Sequence, residues 1–391
     1  MKPALAGAGP ERQVPRPPSA DDRYSTLDGL RGFSAVIIAL HHFWPAAAQS
    51  AYFSLDLFFA LSGFVMVRTY EPRFGKSMGT IDFIKRRLIR FLPLYWVGLV
   101  IGLLLYGEQV ARHVPGHIGL EAAAFAFMTN IVMMPSLATG LMFPFNLPAW
   151  SLFCELVVNV AMVLWLWRLR TGSLVWLGLF SGLLMAALAT WHNANMPPPL
   201  PNHLPKSGFD AGAGWEGWYI GLARANYSFL VGMVIGRMVK PKARPYSIIA
   251  VLTWIMLLTL QSLPIDQPHR FAFDLSSGLL IPPVLMLLGV YFDPPPQLQG
   301  VARWFGDVSF GLYMVHFPLT FVFGAIRVWF HLPNAIVIPL FLVTAVVGGW
   351  LALEYIDIPL RRRMSAWLLP RKSPAPAPAP SGLGVERESV A

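Results

Sequence analysis

Leu27 to Trp44 reads LDGLRGFSAVIIALHHFW. The run is apolar enough to enter a bilayer, yet Asp28 and Arg31 stand at its start and His41 and His42 near its end. Arg31 and His42 are eleven residues apart. At 3.6 residues per turn that is about three turns, so the two share one helix face with roughly 16 Å between their levels, and His41 points about 100° away. An ionisable group inside a bilayer costs roughly 2.5–3.5 kcal/mol on insertion scales and usually faces a polar cavity. Histidine is also the commonest general base, because its pKa lies near operating pH. An inner arginine and a deeper histidine on one face suit an anionic ligand whose reactive end reaches the imidazole. The plainer alternatives are a snorkelling anchor for Arg31 and an interhelical hydrogen bond for the histidine.

The rest of the chain agrees with a membrane setting. Of 391 residues 55% are hydrophobic and only 13% charged, where a soluble domain carries about a quarter. Apolar segments fall near 32–48, 51–69, 91–107, 119–134, 150–167, 173–191, 217–239, 246–263, 273–291, 308–330 and 335–356. The net charge of +10 is read as cytoplasmic loops rather than nucleic-acid binding. Residues 68–90 carry seven basic residues against Glu71 and Asp82, and further basic groups gather at 168–170, 237–244 and 361–372. All of them face the cytoplasm only if 119–134 does not cross. The reading is an all-α, polytopic transmembrane helical bundle of about ten spans plus one short re-entrant or interfacial segment, with both termini cytoplasmic. Residues 1–24 are expected to form a disordered arm, 25–363 the membrane domain, and 364–391 a Pro/Ala-rich disordered tail. The single cysteine, Cys154, excludes an internal disulfide. There is no P-loop, Rossmann glycine pattern, GxSxG elbow or zinc helix, the histidines are scattered, and no metal is expected.

Other polar residues lie inside apolar runs. In IDFIKRRLIRFLPLYW, Arg87 and Arg90 are i and i+3 on one helix side, and Pro93 is expected to break or bend the helix. Two such arginines could clamp phosphates or simply mark topology. Asp56 lies in FSLDLFFALSGFVMV. Glu155 lies in LPAWSLFCELVVN, four residues after Ser151, with Trp150 at the helix start. His316 lies in FGDVSFGLYMVHFPL. Glu354 and Asp357 sit beside arginines in LEYIDIPLRRR.

Taken together, these stretches resemble the membrane-bound acyltransferase family 3, typified by bacterial O-acetyltransferases of surface polysaccharides and acyltransferases of macrolides. LDGLRGFSAVIIALHHF is similar to its first-helix signature, in which an arginine precedes a histidine by eleven positions, and this selects His42 over His41. LDLFFALSGF resembles its second-helix motif, RRLIRFLPLYW its Arg-x-x-Arg element followed by Pro and Tyr (Arg87, Arg90, Pro93, Tyr95), LPAWSLFCE its Trp-Ser-Leu-x-x-Glu element, and FGDVSFGLYMVHFPL its late motif. The matches run in order from residue 27 to about 363. Phe310 replaces the usual Tyr and Asp357 the usual Glu, both expected to lie away from the Arg–His pair. The stand-alone form is expected, without the SGNH-type domain of some relatives.

The resemblance implies acyl transfer from acyl-CoA, with acetyl-CoA the expected donor, to a hydroxyl of a carbohydrate or glycosylated small molecule in a bacterial inner membrane. Arg31, Arg87 and Arg90 would hold the cofactor, and His42 would deprotonate the acceptor or carry the acyl group. Glu155 or Asp56 would orient the imidazole or hold sugar hydroxyls, and Trp150, Ser151 and His316 would meet substrate. The alternative is a transporter or flippase of a lipid-linked glycan. Outer segments 108–149 and 192–216 are where acceptor choice would reside.

Overall fold

The computed structural model describes residues 23–114, 116, 118–196, 207–239 and 244–369. Residues 1–22 of the expected arm 1–24, the Pro-rich stretch 197–206 with His203, Lys240, Lys242, and residues 370–391 of the expected tail 364–391 with Arg371 and Lys372 lie outside the described residues; residues 364–368 of that tail are helical, in the last helix of the chain, Ile358–Leu368.

The described chain is a bundle of helices in the order α1 Ser25–Phe43, α2 Phe53–Val65, α3 Thr80–Ala111, α4 Leu120–Asn130, α5 Ala149–Leu164, α6 Thr171–Ala194, α7 Trp218–Met238, α8 Ile248–Ser262, α9 Gln267–Tyr291, α10 Pro296–Trp329, α11 Asn334–Ala352 and α12 Ile358–Leu368. Among the described residues, six helical stretches are long and apolar enough to cross a membrane, and α5 and α8 are shorter apolar helices. Leu104, Trp176, Phe180 and Leu183 are exposed, as expected of side chains that meet lipid tails rather than water. The segment expected to be re-entrant contains α4, whose 11 residues rise about 16 Å, half of a hydrocarbon core of about 30 Å. An irregular stretch then leads to α5.

Helix α3 runs unbroken through Pro93 for 32 residues, so of the expected break or bend the break does not occur. Pro93 is buried, and packing in a membrane bundle tolerates the lost backbone bond. Helix α2 continues as a wide turn over Met66–Tyr70, and an identical wide turn, Leu353–Asp357, joins α11 to α12.

Helices approach closely where glycine removes the side chain. Helices α2 and α7 meet at Gly63 and Gly232, where an added Cβ would stand 2.1 Å from the Phe229 carbonyl oxygen and 1.9 Å from that of Ala60. The glycine of LSGF is therefore a packing residue. Helix α1 lies along α10 in the same direction, since Arg31 reaches Gly306 and His42 reaches His316.

Polar contacts gather the basic residues at one end of the bundle. Arg68 donates to Tyr24, Arg237 pairs with Glu71 and donates to the carbonyls of Trp167 and Leu169, and Arg23 pairs with Asp307. Toward the other end, Asp56 and Arg224 form a fully buried pair at 2.8 Å. Arg224 also donates to the backbone oxygens of Tyr52 and Phe209. Beside it Arg270 pairs with Asp274 at 3.0 Å and donates to the Tyr52 hydroxyl.

Removing one partner of a buried pair leaves an uncompensated charge, at about 3–5 kcal/mol. Asp56→Ala should therefore sharply reduce the yield of folded, monodisperse protein in detergent, and Asp56→Leu combined with Arg224→Leu should restore most of it. Size-exclusion profiles and thermal melts check this. Normal melting of Asp56→Ala would contradict the structural role.

Candidate active site

A cavity of about 170 Å³ opens between α1, α2, α3, α5 and α10. Its floor carries Arg31, Arg87 and Arg90, and its upper wall carries Ser151 and Tyr313. The vertical order follows from the helices. Along α5 Ser151 lies one turn from Glu155, and along α10 Ser309, Tyr313 and His316 are successive turns toward the histidine level. Tyr313 thus lines the cavity and separates it from the histidines, its ring centroid 5.6 Å from that of His316.

His42 Nδ1 lies 3.0 Å from His316 Nε2 and 3.1 Å from the Ile38 carbonyl oxygen. His316 Nδ1 lies 2.9 Å from the Tyr313 carbonyl oxygen and 3.3 Å from that of Leu312. Carbonyl oxygens only accept, so His316 carries its proton on Nδ1 and donates it to Tyr313. A neutral His316 then offers Nε2 as an acceptor. His42 Nδ1 must be the donor in the pair, which leaves His42 Nε2 with a free lone pair. The two rings, 5.0 Å apart, therefore hold His42 in the tautomer that can take a proton at Nε2. His316 is fully buried and His42 half-buried.

At the floor, Glu155 Oε1 accepts from Arg87 at 2.7 Å and from Ser62 at 2.6 Å. Arg31 donates to the Gly306 carbonyl at 2.6 Å and lies 3.4 Å from Asp28. The Nε atoms of Arg31 and Arg87 are buried without a hydrogen-bond partner. Arg90 lies over the Phe310 ring and 3.8 Å from Asp357.

The structure brings Arg31, Arg87, Arg90, Ser151 and Glu155 to one cavity, with His42 and His316 one turn above it. It does not bring Asp56 or Glu155 to the imidazole. Asp56 is engaged by Arg224 and Glu155 by Arg87, and the side chain beside His42 is that of His316. Trp150 is buried against Gly212 and Gly221, where an added Cβ would stand 2.7 Å and 2.5 Å from its ring, and it serves packing. Ser151 Oγ donates to the Pro148 carbonyl and lies 2.8 Å from the Tyr313 hydroxyl. Phe310 and Asp357 were expected away from the Arg–His pair. Phe310 lines the cavity that Arg31 also lines and lies under Arg90, and Asp357 lies beside Arg90 and Arg361. Sequence reasoning missed Tyr313, although it stands one turn before His316 in the same stretch. It also missed Arg224, a lone arginine in WYIGLARANYSFLVGM whose need for a buried partner was the available signal. No group of three or more metal-ligating side chains occurs among the described residues.

Residues 24–354 match the profile of a family described as an acyltransferase domain of type 3. The chain belongs to the acyltransferase 3 family. It is 37% identical over 171 residues, 38% of this chain and 84% of the relative, to "Protein 2 in picA locus" of Rhizobium radiobacter. It is 28% identical over 95 residues, 23% of this chain and 15% of the relative, to "Putative peptidoglycan O-acetyltransferase YrhL" of Bacillus subtilis. No solved structure matches it. Membership in the acyltransferase 3 family makes the protein a membrane acyltransferase and favours group transfer over the transporter reading.

The tautomer is measurable. ¹⁵N spectra of histidine-labelled protein in nanodiscs should show His42 neutral, protonated at Nδ1 and bare at Nε2. His316→Ala should move the His42 signals toward a tautomer mixture. A His42 protonated at Nε2 in the unaltered protein would contradict the assignment.

Proposed function

We propose that this protein is an integral membrane O-acyltransferase. It moves an acyl group, acetyl in the simplest case, from acyl-CoA to a hydroxyl of a carbohydrate or glycosylated acceptor. The single observation that carries this reading is the His42–His316 pair, set one turn above a cavity whose floor holds three arginines.

The reaction follows from the geometry. His42 Nε2 takes the proton of the acceptor hydroxyl as its oxygen attacks the thioester carbonyl. The tetrahedral intermediate collapses, the C–S bond breaks, and the thiolate takes the proton back from His42 Nε2. While His42 is an imidazolium, its Nδ1–H bond to His316 Nε2 becomes charge-assisted and strengthens, which favours the charged state at the moment it forms. His316 positions the base without touching the reacting atoms.

The name of the Bacillus relative supports a carbohydrate acceptor. The basic end of the bundle supports a donor that arrives from the cytoplasm, because basic residues mark that side of a bacterial inner membrane. On this topology α4 does not cross, about ten helices do, and both termini are cytoplasmic. Acceptor choice is then assigned to the opposite end, where Trp215 Nε1 donates to the Ser136 carbonyl and ties two outer segments together.

His42→Ala should retain folding and lower acyl transfer by about 10²–10⁴-fold, the usual contribution of a positioned acid–base group. His316→Gln keeps an acceptor near His42 and should lose less activity than His316→Ala. Radiolabelled acetyl transfer from acetyl-CoA by protein in nanodiscs checks both. Transfer by His42→Ala at the wild-type rate would end the reading.

A further inference from the structure

A second cavity, about 560 Å³, lies between α3 and α12 at the basic end and is lined by Tyr70, Arg86, Arg90, Arg361, Arg362 and Ser365. Arg90 lines this cavity and the active-site cavity alike. Its walls follow from the two wide turns. The turn Met66–Tyr70 delivers Tyr70, and the turn Leu353–Asp357 redirects the chain so that α12 packs on α3.

The charge balance here differs from that of the active-site floor. Arg31 is held by Asp28 and a carbonyl, and Arg87 is matched by Glu155. The second cavity is lined by four arginines and, among the described residues, by no carboxylate; Asp357 behind it pairs with Arg361 and lies 3.8 Å from Arg90. Like charges crowded at a membrane edge repel one another, and planar guanidinium forks match phosphate oxygens. Surplus cations around one cavity mark an anion site of several charges.

We propose that this cavity binds the phosphate-bearing end of the donor, the diphosphate and ribose phosphate of acyl-CoA, and that the acyl-bearing arm passes Arg90 into the active-site cavity. The assignment rests on the acyl-CoA reading above. It gives Arg86, Arg361 and Arg362 the phosphates and leaves Arg31 and Arg87 beside the neutral arm. Arg361 is fixed on Asp357, whereas Arg86 and Arg362 form no ion pair among the described residues.

The test uses the full chain in zwitterionic nanodiscs and measures binding of acetyl-CoA and S-acetylpantetheine, which lacks every phosphate of the nucleotide end. The wild type should prefer acetyl-CoA by at least about tenfold. Arg86→Gln/Arg362→Gln should lose most of that preference while binding S-acetylpantetheine as the wild type does. Ser365→Glu, which keeps all four arginines but adds a carboxylate, should also lose it, so the result does not depend on one variant's folding. A double variant that keeps the full preference overturns the proposal and leaves the donor reading intact. A wild type that binds neither compound removes both. Anionic phospholipid offers the same phosphate chemistry. If native mass spectrometry finds phosphatidylglycerol retained by wild type and lost by the double variant, with the acetyl-CoA preference unchanged, the cavity is a lipid site and the proposal fails.

Discussion

The site depends on how closely α1 lies along α10. Gly32 and Gly306 make that approach possible. An added Cβ would stand 2.4 Å from the Phe305 Cβ at the first and 2.8 Å from the Asp28 Cβ at the second. With the two helices parallel and in contact, one register serves both ends. Arg31 donates to the Gly306 carbonyl, and His42 meets His316 ten residues further along α10. A bulkier residue at either glycine would part the helices and break both contacts together. The distance from the arginine floor to the base is therefore a property of two helices held in register, and flexible loops do not set it.

The buried charges divide by how completely they are matched. Asp56 and Arg224 satisfy one another and the neighbouring carbonyls, so the pair is closed to any ligand and acts in packing. Arg87 and Glu155 are matched but stand in the cavity wall. The arginines between α3 and α12 outnumber their carboxylate. Matching within a bilayer is enforced by the cost of a bare charge. A surplus at the membrane edge is tolerated because water is near, and there it draws anions. The gradient runs from scaffold through cavity wall to anion site.

Much of this was legible before any coordinates. The apolar segments, the basic clusters and the eleven-residue spacing of Arg31 and His42 are local features, and local features survive into the structure because a helix preserves spacing. The short α4 was legible for the same reason. Whether Pro93 breaks α3 or lets it continue depends on what packs around it, which the sequence does not show. Asp56 and Glu155 read as candidates to orient the imidazole or hold sugar hydroxyls because both are carboxylates in apolar runs. Their partners, Arg224 and Arg87, lie 168 and 68 residues away in the chain, and no spacing rule reaches that far.

The sequence by itself determined a helical membrane protein, its family motifs and one helix face with an arginine below a histidine. These follow from hydropathy and from the 3.6-residue turn, which act along the chain. Only the tertiary structure decided which histidine nitrogen is bare, that His316 rather than a carboxylate lies beside His42, and that Phe310 lines the cavity. It also decided that the arginines of α12 meet those of α3. Each of these is a contact between helices distant in sequence, set by close glycine approaches and by the demand that every buried charge find a partner.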